Sequence, residues 1–478
     1  MRVSEKYNLG RTQPTLEFVD VDIRGDTRVN IDPRAIQGIE STWSAECVAL
    51  LQSFFSTVLD AIRTGKHARA RHLLSTLREP NETHLGLSRG EAQGRGMGRD
   101  LARSTWDALR SSRAVSSGLL EDLEDTILFI EGIGPDIVSD ITTNIIRGPL
   151  IAFTTDVCNY YGIDLTPGIA SGQIWDHRTR RWTNSFVALP RTEFGPLILV
   201  PKAIVRRVPT YEPGEYYKDF ILPYLQQEEL NAPASSLVEI LRSGHRRVTK
   251  KSVREKYGQG KAVNLSVTER NEELLAQYRQ SKVGRQSGLP HSTVSALTET
   301  PEVDWDALLN AVLACPSGRD HATQYHHAVE TLLSALFYPA LDFPQRESKI
   351  HAGRKRIDIT YTNTATSGFF SWIRDQHRLP CSFVPVECKN YGQEIGNPEF
   401  DQLGMRMSPT RGQLGFLCHR GFNDKKQTMQ TCKDAAADMH GYMIPLDDED
   451  LVALVAERKR LPDRITFPLL RERFRQLL

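Results

Sequence analysis

Apolar residues change their spacing repeatedly along the last third of the chain. Residues 320–341 place them at helical spacing, as at Ala328, Leu332, Leu333 and Phe337. The apolar runs that follow are short and are separated by polar or glycine-containing turns, which is typical of strands. The pattern predicts strands at 347–350, 357–361, 383–391 and 412–420, helices at 397–407 and 425–440, and a strand entering a final helix at 441–451.

The order of these elements, αβββαβαβα, predicts an α/β (α+β) domain. Asn397 is predicted to cap the helix at 397–407, with Pro398 at its first position. A long segment, 362–381, separates the second and third strands, and it is predicted to form an insertion or a hairpin arm.

The first 280 residues have longer helical patterns and fewer strand-like runs. A following stretch, 281–304, is rich in Ser, Thr, Gly and Pro and is predicted to be a linker. The sequence therefore predicts a mainly helical α+β N-terminal region at 1–280, the linker, and a C-terminal domain at 305–478. Helices are predicted at 41–65, 68–77, 100–112, 215–227, 235–244 and 271–280, with strand-like spacing at 15–33 and a hairpin at 185–207.

Composition narrows the class of protein. The 478 residues accommodate two or three domains, and a hydrophobic content of 40% is enough for packed cores. The first residues, MRVSEKYNLG, have no apolar signal segment, and no run reaches the apolar length of a membrane span. The seven cysteines include no CxxC pair, which favours reduced, structural thiols. We therefore expect a soluble, cytoplasmic protein that has no membrane partner.

Three polar residues lie in neighbouring apolar strands of the C-terminal part: Asp358, Glu387 and Lys389. Because side chains alternate along a strand, Glu387 and Lys389 point to the same face. Two carboxylates suit Mg²⁺, with Mn²⁺ as a substitute, and a nearby lysine steadies an attacking water or the charge that develops on phosphorus. The three residues are predicted to support metal-assisted phosphodiester hydrolysis.

This D…ExK arrangement, in this order of elements, resembles the PD-(D/E)xK nuclease superfamily and its Mrr-like and Holliday-junction-resolvase-like branch. The resemblance covers residues 320–460. It implies a restriction-endonuclease-like αβββαβ core with a mixed sheet, in which Asp358 and Glu387 bind the metal. It also implies that Glu330, on the first helix, joins the metal site, with Glu347 as the alternative. Gln402, on the helix after the ExK strand, is implied to join Asp358, Glu387 and Lys389 as a catalytic residue.

The sequence departs from the superfamily pattern at two places. Ile357 precedes Asp358 where the family name has proline. The long segment 362–381 is a second departure, and its Phe369, Phe370, Trp372, Arg374 and Arg378 are candidates to touch the substrate.

Two basic runs are predicted to bind nucleic acid although the net charge is only +1. Local basic surfaces hold phosphates even in a neutral protein. The candidate residues are Arg354, Lys355 and Arg356 beside Asp358, and Arg246, Arg247, Lys250 and Lys251 in the N-terminal region.

The leading hypothesis is a Mg²⁺-dependent endonuclease that cuts DNA. The resemblance implies 5′-phosphate ends and a homodimer. By analogy we expect a bacterial defence effector against phage or foreign DNA, with repair or recombination as the rival context. One alternative is a nuclease-fold module without catalysis that binds nucleic acid or a protein partner, and another is an RNase on the same scaffold. Residues 1–280 are expected to receive an activating protein partner or ligand.

Overall fold

The chain folds around two separate hydrophobic cores. The structure is a computed structural model that describes residues 1–86, 97–282, 288–350, 355–392 and 395–478. One cluster of buried apolar residues extends from Val3 to Tyr278 in sequence, and the other extends from Val312 to Leu477. The protein is thus a mixed α/β chain with a separate core in each part.

The N-terminal core is built mainly by helices, because the described strands of this region are short and pair only in twos. A π-helical segment, Tyr217–Ile221, joins α10 to α11. The helices are α1 Val3–Lys6, α2 Pro33–Gln37, α3 Thr42–Arg63, α4 His67–Leu74, α5 Met97–Arg110, α6 Arg113–Ser117, α7 Asp125–Phe129, α8 Pro135–Ile145, α9 Arg147–Tyr161, α10 Pro213–Tyr216, α11 Leu222–Asn231, α12 Lys250–Tyr257, α13 Lys261–Thr268, α14 Glu273–Lys282 and α15 His291–Thr298. The strands are β1 Asn30–Ile31, β2 Thr166–Ala170, β3 Ile174–Asp176, β4 Arg181–Thr183, β5 Phe186–Leu189, β6 Arg191–Thr192, β7 Gly195–Pro196, β8 Val205–Arg206, β9 Val238–Ile240 and β10 Arg246–Val248.

Helix α3 is long and apolar enough to cross a membrane by length and composition. The prediction that no run reaches the apolar length of a membrane span is therefore wrong for this helix. In the structure its apolar residues, among them Phe54, Phe55 and Val58, are buried in the N-terminal core. Its Ser41 cap accepts a hydrogen bond from the Ser44 amide, which fixes where the helix begins. The N-terminal core therefore covers the apolar face of this helix.

A five-stranded mixed sheet forms the centre of the C-terminal domain, in the order β11-β12-β13-β14-β15. Strands β11, β12 and β13 are antiparallel neighbours, whereas β13, β14 and β15 run parallel. Helix α17 packs against β11 and β13, and α20 and α22 pack against β15. The elements are α16 Trp305–Leu313, α17 Ala322–Phe337, β11 Leu341–Ile350, β12 Lys355–Asn363, α18 Gly368–Asp375, β13 Phe383–Lys389, α19 Asn397–Gly404, β14 Leu414–His419, α20 Lys425–Ala437, β15 Tyr442–Leu446, α21 Asp448–Arg460 and α22 Pro468–Leu477.

The predicted order of C-terminal elements from the first helix to the strand at 441–446 is confirmed, and two local predictions there are wrong. Asn397 is the first helical residue of α19 rather than its cap, because the Gly396 amide before it donates to Glu399 Oε2 at 2.9 Å. The segment 362–381 is the predicted insertion between the two strands, but it is not a hairpin arm. It forms α18, whose Phe369 and Phe370 are fully buried. Their rings pack against Phe337, Phe416, Phe467 and Phe474, so apolar burial takes them away from any substrate.

Two N-terminal predictions also differ from the structure. The helix predicted at 235–244 is absent, and β9 there pairs with β10. Ile240 remains 75% exposed, so a helix at this position would have no core to cover its apolar stripe. The described part of the predicted linker contains α15, whose buried His291 ring bonds to the Ala335 carbonyl at 2.9 Å.

Candidate active site

Strand pairing brings Asp358 next to Glu387. In the antiparallel pair of β12 and β13, Ile359 lies opposite Val386. One further step in this register sets Asp358 opposite Glu387. The Cys388 amide donates to Asp358 Oδ2 at 2.9 Å, so one carboxylate oxygen is tied to the neighbouring strand. The two carboxylates predicted from sequence therefore lie on adjacent strands.

Lys389 joins Glu387 on the same face of β13, as strand alternation predicts. The Lys389 ammonium donates to Glu387 Oε1 at 2.8 Å and to Gln402 Oε1 at 3.1 Å. Gln402 lies on α19, the helix that follows β13 in the chain. The structure thus brings Glu387, Lys389 and Gln402 into one hydrogen-bonded group, with Lys389 at its centre.

Arg406 is a member of this site that the sequence analysis missed. Its Nη1 atom forms an ion pair with Glu387 Oε2, so the buried Glu387 carboxylate has cations on both oxygens. Burial lowers the pKa of the Arg406 guanidinium, and the Asp358 carboxylate opposes that shift. The i,i+4 spacing of Gln402 and Arg406 was the available signal, because in the helix predicted at 397–407 it sets both on one side.

His326 is the second residue that the sequence analysis missed. Its Nε2 atom lies 2.9 Å from the carbonyl oxygen of Cys388 and 3.9 Å from Asp358 Oδ2. It lies one turn before Glu330 on α17, and this i,i+4 spacing from a predicted site residue was its only signal in the sequence. The imidazole therefore orients the backbone between the two catalytic candidates of β13, Glu387 and Lys389.

Glu330, the third predicted metal ligand, lies in a different set of contacts. Its Oε2 atom is 2.6 Å from Arg11 Nη2 and accepts a hydrogen bond from the Tyr160 hydroxyl at 3.2 Å. Its Oε1 atom accepts from Ser334 at 3.1 Å. Arg11 and Tyr160 belong to the N-terminal region, so Glu330 is a contact between the two parts of the chain.

The charge of Arg11 is matched to this environment. Burial lowers the pKa of its guanidinium, but the Glu330 carboxylate and the phenols of Tyr161 and Tyr160 outweigh that effect and raise it above its ordinary value. The guanidinium also lies over the Tyr161 ring, 5.4 Å from its centroid. Glu330 therefore faces a permanent cation.

The donor set near Asp358 is suited to a hard divalent cation but does not amount to a cluster of three ligands. Within the described ranges, no group of three or more His, Cys, Asp or Glu side chains could hold a metal ion, and the role of Glu330 as a metal ligand stays a prediction. Asp358, Glu387 and the Cys388 carbonyl supply oxygen atoms, which Mg²⁺ prefers. Because Lys389 and Arg406 already balance the two carboxylates, a cation there requires Arg406 to move or phosphate charge to arrive with it.

The predicted phosphate-binding residues separate into two cases. Arg354 lies outside the residues that the structure describes. Lys355 and Arg356 lie in β12, but their side chains are not part of the description. Arg246 and Arg247 are exposed on β10, and Lys250 and Lys251 are exposed in the first turn of α12. Arg247 pairs with Glu239 at 2.7 Å and Lys251 with Glu255 at 3.8 Å, which reduces the local positive charge.

Comparison with known proteins bears only on the N-terminal region. A family model described as a domain of unknown function (DUF8370) matches residues 8–212. No curated protein and no solved structure matches the chain. Arg11 and Tyr160 lie inside the matched segment, whereas Asp358, Glu387, Lys389 and Gln402 lie outside it.

Proposed function

We propose that the chain is a metal-dependent endonuclease that hydrolyses phosphodiester bonds in DNA, with a restriction-endonuclease-like C-terminal domain. One observation carries the proposal: Asp358 on β12 adjoins Glu387 and Lys389 on β13, and Lys389 is held by Gln402 of α19. Two carboxylates and a lysine on paired strands are the groups that phosphodiester hydrolysis needs.

In this proposal Asp358, Glu387 and the Cys388 carbonyl hold Mg²⁺, with Mn²⁺ as a substitute. When bound, the ion supplies positive charge that polarises the scissile phosphate. Lys389, restrained by Glu387 and Gln402, orients the attacking water and stabilises negative charge on the phosphate oxygens. The water oxygen bonds to phosphorus and the bond to the 3′-oxygen breaks. The water proton passes to solvent, and the leaving 3′-oxygen takes up a proton from solvent. The products are a 5′-phosphate and a 3′-hydroxyl.

The ion pair between Arg406 and Glu387 favours a rival function. A carboxylate with a cation on each oxygen is a stable internal group, as in a nuclease-fold module that only binds nucleic acid or a partner. An RNase on the same scaffold is a further alternative, because nothing among the described residues of the site distinguishes the two sugars.

The remaining features of the proposal concern context. We infer a cytoplasmic homodimer that defends a bacterium against phage or foreign DNA, with residues 1–280 receiving an activating partner or ligand. The buried Arg11–Glu330 contact supports the last point, because it links the N-terminal region to the helix that carries His326.

Cleavage of plasmid, linear duplex, single-stranded DNA and RNA in Mg²⁺, Mn²⁺ or EDTA tests the proposal. Metal-dependent cutting of DNA is expected, and Asp358→Ala and Lys389→Ala should each abolish it. The matched controls are Asp375→Ala and Lys433→Ala, which remove an exposed acid and an exposed lysine of the same domain. Cutting that survives in both site variants contradicts the proposed site, and cutting of RNA alone selects the RNase alternative.

An inactive wild type is resolved by its response to metal. If Mg²⁺ raises the Tm of the wild type but not of Asp358→Ala, the site binds metal and an activator is missing. If Mg²⁺ changes neither Tm, the binding-module alternative replaces the nuclease.

A further inference from the structure

The N-terminal region has a strongly basic groove that the predicted site residues do not include. Helix α4 and the residues that follow it form one side of the groove, and the β3–β4 hairpin forms the other side. The groove encloses about 670 Å³. Arg69 and Arg78 line one wall, and Arg180 and Arg181 line the other. None of its lining residues is acidic.

The two walls of the groove are fixed to each other by Trp182. The indole Nε1 of this β4 residue donates to the Leu73 carbonyl of α4 at 3.0 Å. Its ring packs against Phe54 and Trp175, with centroid distances of 5.3 and 5.4 Å. The hairpin therefore cannot leave the helix without breaking core contacts, and the arginines on the two walls keep their separation.

The arginines of the groove lack internal compensation. In the described part of the chain, Arg69, Arg78, Arg180 and Arg181 form no ion pair. The nearest acid in the hairpin, Asp176, accepts hydrogen bonds from the Arg178 amide and the Thr179 hydroxyl, both at 2.8 Å, and so closes the hairpin tip. Four exposed like charges on a rigid frame raise the local potential and attract an anion.

We propose that this groove binds the phosphodiester backbone of a single nucleic acid strand. Four guanidinium groups spread over two walls fit successive phosphates better than one small anion, because each fork takes a separate phosphate. The partly exposed Trp182 adds an aromatic surface of the kind on which bases stack. The choice of nucleic acid over other polyanions rests on the proposed nuclease function.

Fluorescence anisotropy with a short labelled single-stranded oligonucleotide in EDTA tests the groove without cleavage. Arg69→Glu/Arg181→Glu should weaken binding at least about tenfold and reduce the slope of log K against log salt by about 1.4, since each lost phosphate contact accounts for about 0.7. Lys433→Glu/Lys426→Glu, which reverses the same number of charges on α20, should bind like the wild type. A thermal melt verifies that each variant folds.

Two results overturn this inference. Unchanged binding by folded Arg69→Glu/Arg181→Glu removes the groove as a site. Displacement of the oligonucleotide by polyaspartate as readily as by unlabelled DNA assigns the groove to acidic proteins instead.

The groove and the nuclease proposals fail separately. Asp358→Ala should bind the oligonucleotide in EDTA like the wild type, because Asp358 does not line the groove. If no condition yields cleavage but the groove variants lose binding, the groove stands and the nuclease does not. If cleavage depends on Asp358 while the groove variants bind normally, the reverse holds.

Discussion

Arg11 and Glu330 form an ion pair between the two parts of the chain, with Arg11 Nη2 2.6 Å from Glu330 Oε2. The side chain of Glu330 is 2% exposed and that of Arg11 is 10% exposed, so water screens the pair poorly. Glu330 lies one helical turn after His326, which contacts the Cys388 carbonyl. A buried ion pair therefore connects the N-terminal region to α17, the helix that borders the candidate active site.

Arg11→Met should destabilise the protein by about 3–5 kcal/mol, because it leaves the Glu330 carboxylate buried without its cation. The double variant Arg11→Met/Glu330→Gln should recover most of this loss, since neither member of the pair is then charged. Urea unfolding measures both values.

The exposed pair of Arg24 and Asp22 provides the control for that experiment. Arg24 is 64% exposed, so water screens this pair and Arg24→Met should cost much less stability than Arg11→Met. Equal losses for Arg11→Met and Arg24→Met would show that the Arg11 pair is screened like a surface pair.

Arg406→Met should make the site bind Mg²⁺ more tightly in the absence of DNA. The wild-type Glu387 carboxylate is neutralised by Lys389 and Arg406, and removing one cation restores negative charge for a metal. We expect Mg²⁺ to raise the Tm of Arg406→Met more than that of the wild type. Arg378→Met, at an exposed arginine of the same domain, should respond like the wild type. A smaller response in Arg406→Met would mean that Arg406 does not compete with the metal.

Gln402→Leu should lower kcat about tenfold with little change in KM, if the nuclease proposal holds. The hydrogen bond from Lys389 to Gln402 Oε1 involves a charged donor, and a tenfold change in rate corresponds to about 1.4 kcal/mol. Gln402→Glu keeps an acceptor at this position and should restore most of the rate. A loss that Gln402→Glu does not restore would assign Gln402 a role other than positioning Lys389.

Asp342, buried between the two parts of the chain, should make stability depend on pH. Burial raises the pKa of its carboxyl group to about 6, although the Lys202 ammonium lowers it. Because this pKa is above the ordinary value, the native state binds the extra proton. The contribution of this protonated carboxyl group to the free energy of unfolding is therefore complete below about pH 4, and it is lost as the pH rises through 6.

Urea unfolding from pH 4 to 7 compares the wild type with Asp342→Asn. The stability of the wild type relative to this variant should fall by roughly 3 kcal/mol over that range, as about two pKa units imply. Lys202→Met should move the fall to higher pH, because the cation that opposes protonation is gone. A constant difference between wild type and Asp342→Asn would contradict the raised pKa.

Local pattern was sufficient for most elements of the C-terminal domain. The two-residue alternation of β13 already sets Glu387 and Lys389 on one face, and the strand carrying Asp358 was recognisable from its apolar run. These features depend on neighbours in sequence, because side-chain direction in a strand follows from backbone geometry. The same local reasoning failed at 362–381, where only packing against Phe416 and Phe467 decides that Phe369 and Phe370 are core residues.

The sequence by itself determined the period of each strand and helix, and with it the pairing of Glu387 with Lys389 on β13. Only the tertiary structure decided that Arg406 balances Glu387, that His326 contacts the Cys388 carbonyl and that Glu330 pairs with Arg11. The physical reason is that burial makes each charge seek the nearest opposite charge or polar group in space. Arg11 and Glu330 are 319 residues apart in the chain, and no periodic pattern extends over such a separation.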